Sequence, residues 1–114
     1  MADCIFCKMA AGEMKANVTH QTDALFAIQD IRPQAPIHQL IIPKKHIPNL
    51  MDLGEEETPL LKQIFATAKA LAVQNGLSEN GFRIVVNCGR HGGQTVDHLH
   101  FHLLGGRPMR WPPG

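Results

Sequence analysis

The feature that most constrains this chain is the run His98-Leu99-His100-Phe101-His102-Leu103-Leu104. Imidazoles and apolar side chains alternate strictly. In an extended strand alternate side chains share a face. The run therefore predicts a strand over 96–104 with His98, His100 and His102 on one face, about 6.5–7 Å apart. Leu99, Phe101 and Leu103 then supply the core behind them. A chain with such a strand must build a sheet with one packed face and one chemically active face.

The rest of the 114 residues supplies that sheet. Residues 3–12 read as a short helix, with Asp3 as its cap and Gly12 at its end. Residues 17–21 read as an edge strand, 24–30 as a strand and 38–42 as a second apolar strand ended by Pro43. The intervening Pro33 and Pro36 forbid a continuous ladder. Leu60, Leu61, Ile64, Phe65, Ala68, Leu71 and Ala72 recur at helical spacing, which predicts a long helix over 55–75. Asp52 and Glu55 read as its capping pair, Glu55–Glu57 suit its N-terminus, and Asn75-Gly76 closes it. Phe82–Asn87 reads as another strand and 88–94 as a glycine-rich loop. Strands joined by short turns on either side of one helix favour an α+β fold with an antiparallel sheet of about five strands.

Length and composition set the outer bounds. One domain over 1–114 is expected from the length. Forty-four per cent hydrophobic residues is ordinary for a globular chain. A formal net charge of +1 makes no electrostatic case for long nucleic acid or an anionic membrane. No apolar run reaches the roughly 18 residues of a membrane span. Met1-Ala2-Asp3-Cys4 lacks the basic start and apolar stretch of a signal peptide, so a cytoplasmic location is expected. Three cysteines are too few for a disulfide framework.

Three clustered imidazoles leave two chemistries open. One is a zinc hydrolase in which His98, His100 and His102 hold a catalytic metal. The other is phosphoryl transfer, with one histidine as nucleophile and its neighbours stabilising charge. Gly92-Gly93-Gln94-Thr95, just before the run, offers backbone amides suited to phosphate oxygens, although turn formation alone also accounts for the glycines. Cys4-Ile5-Phe6-Cys7 is a lone CxxC that puts two thiols on one side of a short helix. Packed free thiols are the alternative there. Cys88 receives no role.

The triad run resembles the histidine-triad (HIT) motif, His-φ-His-φ-His-φ-φ with φ hydrophobic. Further segments are similar to the Hint (histidine-triad nucleotide-binding) branch. They are Asp30-Ile31-Arg32-Pro33-Gln34-Ala35-Pro36-Ile37-His38, Ile42-Pro43-Lys44-Lys45-His46-Ile47, Val85-Val86-Asn87, Gly92-Gly93-Gln94-Thr95-Val96 and the end from Leu104 to Gly114. Together they run in order over nearly the whole chain. Asp97 departs from the branch, which commonly carries an aromatic residue there.

The resemblance implies a HIT-like fold and a homodimer with one continuous sheet. It implies hydrolysis of purine nucleoside monophosphate derivatives, nucleoside phosphoramidates above all, through a covalent nucleotidyl-His100. His98, His102, His38 and Thr95 would support that chemistry, with His38 orienting the triad. Donors to the phosphate oxygens would come from Gly93, Thr95, Asn87 and His102. Asp30 would take the ribose hydroxyls. Ile5, Phe6, Met9, Ile28, Ile31 and Leu40 would wall the base, and Trp111 would reach the partner's site. No cofactor is implied for catalysis. In some HIT relatives such cysteines join two histidines on zinc, which carries over here as a structural Cys4, Cys7, His46 and His98 set. A non-catalytic nucleotide-binding or interaction protein stands as the alternative.

Overall fold

The computed structural model describes residues 3–114. Met1 and Ala2, part of the stretch read for a signal peptide, lie outside the described residues. The elements are helix α1 (Ile5–Ala10), strands β1 (Val18–Gln21), β2 (Leu25–Gln29) and β3 (Ile37–Pro43), helix α2 (Thr58–Gln74), strand β4 (Phe82–Val86), the single helical turn α3 (Gly89–Gly92) and strand β5 (Phe101–Gly105). Two 3₁₀ turns, Leu50–Asp52 and Glu55–Glu57, lead into α2. The five strands form one antiparallel sheet in the order β1-β2-β3-β5-β4.

The central strands divide their side chains between two layers. Leu25, Ala27, Ile41, Phe101 and Leu103 face α2 and pack with Ile64, Ala68 and Leu71. Phe26, Ile28, Leu40 and Ile42 face the other way and pack with Phe6 of α1. Burial of both sets is what offsets the conformational cost of ordering the strands. Leu40 pairs with both Ile28 and His102, so these three share the α1 face of the sheet.

Several boundaries differ from the sequence reading, each for a local reason. Helix α1 is capped by Cys4, whose Sγ accepts from the Cys7 N–H at 3.4 Å, and not by Asp3. The box ahead of α2 is Gly54–Glu57 and not Asp52–Glu55. Glu57 is buried, and its carboxylate accepts from the Gly54 N–H at 3.0 Å. Asn75 does close α2 as expected, with its side-chain amide donating to Leu71 O at 2.8 Å. The glycine-rich loop contains the helical turn α3, ended by Gly93 at φ +82°.

The largest difference concerns the triad. Strand β5 starts at Phe101, not near residue 96, so only His102 of the three lies on a regular strand. Phe101 pairs with Ile41 and with Val86, which ends β4. Two residues beyond Ile41, β3 reaches Pro43, which has no N–H to donate, and the β3–β5 ladder stops short of it at Phe101. The freed main chain turns elsewhere, with the Leu99 N–H donating to Ile47 O at 2.7 Å.

Candidate active site

That departure from the ladder divides the three histidines. His98 is fully buried, contrary to the exposed polar row expected for the motif. Its Nε2 lies 2.7 Å from Pro43 O. A carbonyl only accepts, so Nε2 carries the hydrogen and Nδ1 keeps a lone pair. That lone pair faces Cys4 Sγ at 3.3 Å, Cys7 Sγ at 3.6 Å and His46 Nδ1 at 3.2 Å. Cys7 Sγ lies 3.2 Å from His46 Nδ1.

These distances test the fit of a metal. Zinc bonds of about 2.3 Å to sulfur and 2.0–2.1 Å to nitrogen, at tetrahedral angles, put ligand atoms about 3.3–3.8 Å apart. The four atoms all lie within 4.8 Å of one another, and the four separations above, 3.2–3.6 Å, lie within or just below that range. Two thiols and two imidazoles are a donor set suited to zinc. Cys4, Cys7, His46 and His98 therefore fit a closed structural site. His98, His100 and His102 do not converge on a common point for a metal: among the described residues, His98 groups with the thiols and His102 with Asp30 and His38. The arrangement of a catalytic metal held by all three triad histidines is not what the fold builds.

His100 belongs to neither group. Its Nδ1 donates to the main-chain oxygen of its own neighbour, His98 O, at 2.7 Å. That bond fixes the tautomer, so Nε2 carries the free lone pair. Phe6 packs edge-on against both rings, with centroids 5.2 Å from His100 and 5.6 Å from His98.

His102 is held in a chain of hydrogen bonds. The Gln34 N–H donates to His38 Nδ1 at 3.0 Å, so His38 carries its hydrogen on Nε2. That Nε2 lies 2.9 Å from His102 Nδ1 and 3.4 Å from Asp30 Oδ2. His102 Nδ1 is thereby an acceptor, and its Nε2–H is left as a donor. Burial, reinforced by neighbouring His100 and His38, pushes His102 down to about 4. Burial also lowers His38, opposed by Asp30. Both rings are neutral near pH 7. Asp30 has two tasks: Oδ1 accepts from the Arg32 N–H at 2.8 Å, closing the turn, while Oδ2 faces His38.

Between α1 and the sheet lies a cavity of about 310 Å³. Ile5, Phe6, Met9, Ile28, Asp30, Ile31, Leu40, Thr95, His100 and His102 all line it. Gln29, Arg32 and Val96 line it as well, unanticipated from sequence because no local pattern marks which loop side chains meet across a sheet. Apolar walls below a few convergent polar groups are the usual form of a small-molecule site.

Three expected contributors stand apart from that lining. The Gly93 N–H donates to Arg90 O at 3.1 Å to end α3, so it is engaged in the turn and not presented to a phosphate. Asn87 follows β4 and does not line the cavity. Trp111 is 83% exposed, in a tail tethered where Arg83 donates to Arg110 O, and it does not reach the cavity of its own chain. Gln94 proves to be the brace of the loop. Its amide oxygen accepts from the Gly89 N–H at 2.9 Å, and its amide nitrogen donates to Pro48 O at 2.7 Å and Val96 O at 3.0 Å.

An antiparallel five-stranded sheet with a histidine-lined cavity beneath a short helix defines a class. The HIT domain model matches residues 11–109, and the chain belongs to the HIT family. It is 43% identical over 107 residues to the purine nucleoside phosphoramidase of Escherichia coli strain K12, covering 94% of this chain and 90% of that protein. Its structure is similar to that of a HIT family hydrolase from Legionella pneumophila Philadelphia 1, with TM-score 0.97, 53% identity, and coverage of 98% and 100% of the two chains. It is also similar to a Zn-bound histidine triad family protein from Mycobacterium smegmatis, with TM-score 0.80, 31% identity, and coverage of 93% and 76%. Among the described residues no helix is long and apolar enough to cross a membrane.

Proposed function

We propose that the protein hydrolyses nucleoside 5′-phosphoramidates, of the adenosine 5′-monophosphoramidate type, through a covalent intermediate on His100. One observation carries the reading: His100 Nδ1–H is held by His98 O, which leaves Nε2 as an unprotonated nitrogen on a residue that lines the cavity. A neutral imidazole is a competent nucleophile near pH 7. The E. coli relative, named a purine nucleoside phosphoramidase, supports the substrate class.

In this reading Nε2 of His100 attacks the α-phosphorus and the P–N bond breaks. The leaving amine takes a proton from Thr95 or a neighbouring histidine. The positive charge that develops on the His100 ring is stabilised by His98 O. Water then attacks the nucleotidyl-histidine, returns a proton to the group that acted as acid in the first step, releases the nucleoside monophosphate and restores the free ring. His102 Nε2–H donates to a non-bridging oxygen, where charge accumulates in the transition state. A backbone or hydroxyl donor at Thr95 joins it. The apolar wall from Ile5 to Leu40 holds a purine by burial, and Asp30 accepts from the ribose hydroxyls.

Zinc, where bound, sits on Cys4, Cys7, His46 and His98, away from the reacting atoms, and supplies structure. We further read the molecule as a cytoplasmic homodimer, with Trp111 of each chain directed to its partner. Its free cysteines suit a reducing compartment.

The test is AMP release from adenosine 5′-phosphoramidate by wild type and His100→Ala, each with and without EDTA. Release by wild type in both conditions, absent from the variant, is the expected result. Turnover by His100→Ala at the wild-type rate would remove His100 from the nucleophile role. Binding of AMP without turnover of any phosphoramidate would favour a nucleotide-binding protein instead.

A further inference from the structure

The two groups of the site share one element. Helix α1 has only six residues, far short of the roughly 12–15 an isolated helix needs to persist in water. Its hold on the body rests on Phe6, which is buried, on Met9 and Ala10, which pack on the same apolar cluster, and on Cys4 and Cys7, which reach His46 and His98. The same helix presents Ile5, Phe6 and Met9 to the nucleotide cavity. One end of α1 is thus a ligand carrier and its length is a cavity wall.

A second connection runs through His98. Its side chain belongs to the thiol cluster, while its main-chain oxygen holds His100 Nδ1 at 2.7 Å. Phe6 touches both rings. Anything that fixes the four ligand atoms at tetrahedral spacing also fixes the helix that closes the cavity and the segment that aims His100.

We infer that the Cys4–Cys7–His46–His98 cluster and the nucleotide cavity are thermodynamically linked, so that zinc at the cluster tightens a purine nucleoside monophosphate in the cavity. By linkage the nucleotide tightens zinc by the same factor. The inference rests on the zinc and nucleotide readings above and adds a coupling between them. The coupling is local: it orders α1 and leaves the sheet unchanged. An effect of about 5- to 50-fold on each affinity is expected, within the usual range for coupled sites.

The experiment measures AMP affinity calorimetrically on zinc-loaded and chelator-stripped protein. It measures zinc affinity against a chromophoric chelator, without and with saturating AMP. Equal shifts of at least fivefold in the two directions are expected. Hydrogen exchange should show residues 5–10 gaining protection with zinc while β3 and β5 stay protected in both forms. In Cys7→Ser, AMP should bind as it does to stripped wild type whether or not zinc is added. Cys88→Ser should keep the full effect.

Zinc and AMP that both bind, with neither affinity moved more than twofold by the other, overturn the linkage and leave both underlying readings intact. Loss of protection across β3 and β5 on stripping overturns it as well, because the effect is then global unfolding. Failure to take up zinc defeats the linkage together with the zinc reading. Failure to bind AMP defeats it together with the nucleotide reading.

Discussion

His100 Nδ1 lies 2.7 Å from the main-chain oxygen of His98, and His98 Nε2 lies 2.7 Å from the main-chain oxygen of Pro43. Two carbonyls thereby set two tautomers. They point the His98 lone pair at the thiols and leave the His100 lone pair on Nε2. In the proposed mechanism that second lone pair forms the bond to phosphorus. Alkaline quench, which spares the acid-labile P–N bond, during turnover of a radiolabelled phosphoramidate should trap up to one nucleotide per active site on His100. His100→Ala should trap none and lose roughly three orders of magnitude in kcat, while AMP affinity changes less than threefold.

Asp30→Asn separates the two tasks of that side chain. An asparagine oxygen still accepts the Arg32 N–H, so the turn survives. The second acceptor for the ribose is lost. kcat/KM for ribonucleotide substrates should fall roughly tenfold, the worth of a charge-assisted hydrogen bond. The preference for ribose over 2′-deoxyribose should shrink by a similar factor. An unchanged preference would move ribose recognition away from Asp30.

His38 tests the relay to His102. His38→Leu removes the donor 2.9 Å from His102 Nδ1. It frees His102 to take the other tautomer, with Nδ1 protonated and Nε2 no longer a donor. A fall of about 10²-fold in kcat with little change in KM is expected. His38→Gln keeps an N–H donor and should recover much of the loss. Equal damage from both substitutions would mean that His38 acts only by packing.

The depressed imidazoles give stability a pH dependence of definite sign. His102 sits at about 4, against an ordinary value of 6.5, and His38 is lowered too. Below 6.5 the unfolded chain binds protons that the native rings refuse. The stability these neutral rings confer is complete above about pH 6.5 and is lost as pH falls towards 4. Urea midpoints measured from pH 7.5 to 4.5 should decline on this limb. His102→Asn should flatten it, and an identical slope in that variant would assign the dependence to other groups.

Leu103 lies fully buried on the α2 face, one residue from His102 on the site face. Leu103→Ala leaves a cavity between sheet and helix and should cost about 2–5 kcal/mol in chemical denaturation. Below the unfolding transition the variant should retain its AMP affinity. A loss under 1 kcal/mol would show that the core collapses into the gap.

The sequence alone determined the elements whose cause is local. The period of the apolar residues from Leu60 to Ala72 gives α2, Asn75-Gly76 gives its end, and Phe82–Val86 gives a strand. The alternation from Phe101 to Leu103 put those side chains behind His102, where they lie. Chemistry was legible too, because histidine and cysteine advertise themselves by type and spacing. The residues named as the cavity's apolar wall do line it, though that assignment came from the likeness to HIT proteins and not from periodicity.

Only the tertiary structure decided what the histidines do separately. A ladder ends when its neighbours end, so the start of β5 depends on Val86 and Pro43, distant in sequence from His98. The alternation is identical on both sides of that point, and nothing local marks it. Tautomers depend on which group lies within 3 Å: His98 and His102 take theirs from Pro43 and His38, far away in sequence, while His100 and His38 take theirs from nearby His98 and Gln34. Periodicity encodes which face a side chain occupies. The protons on His98 and His102, and the partners they meet, are set by atoms that long-range packing brings together.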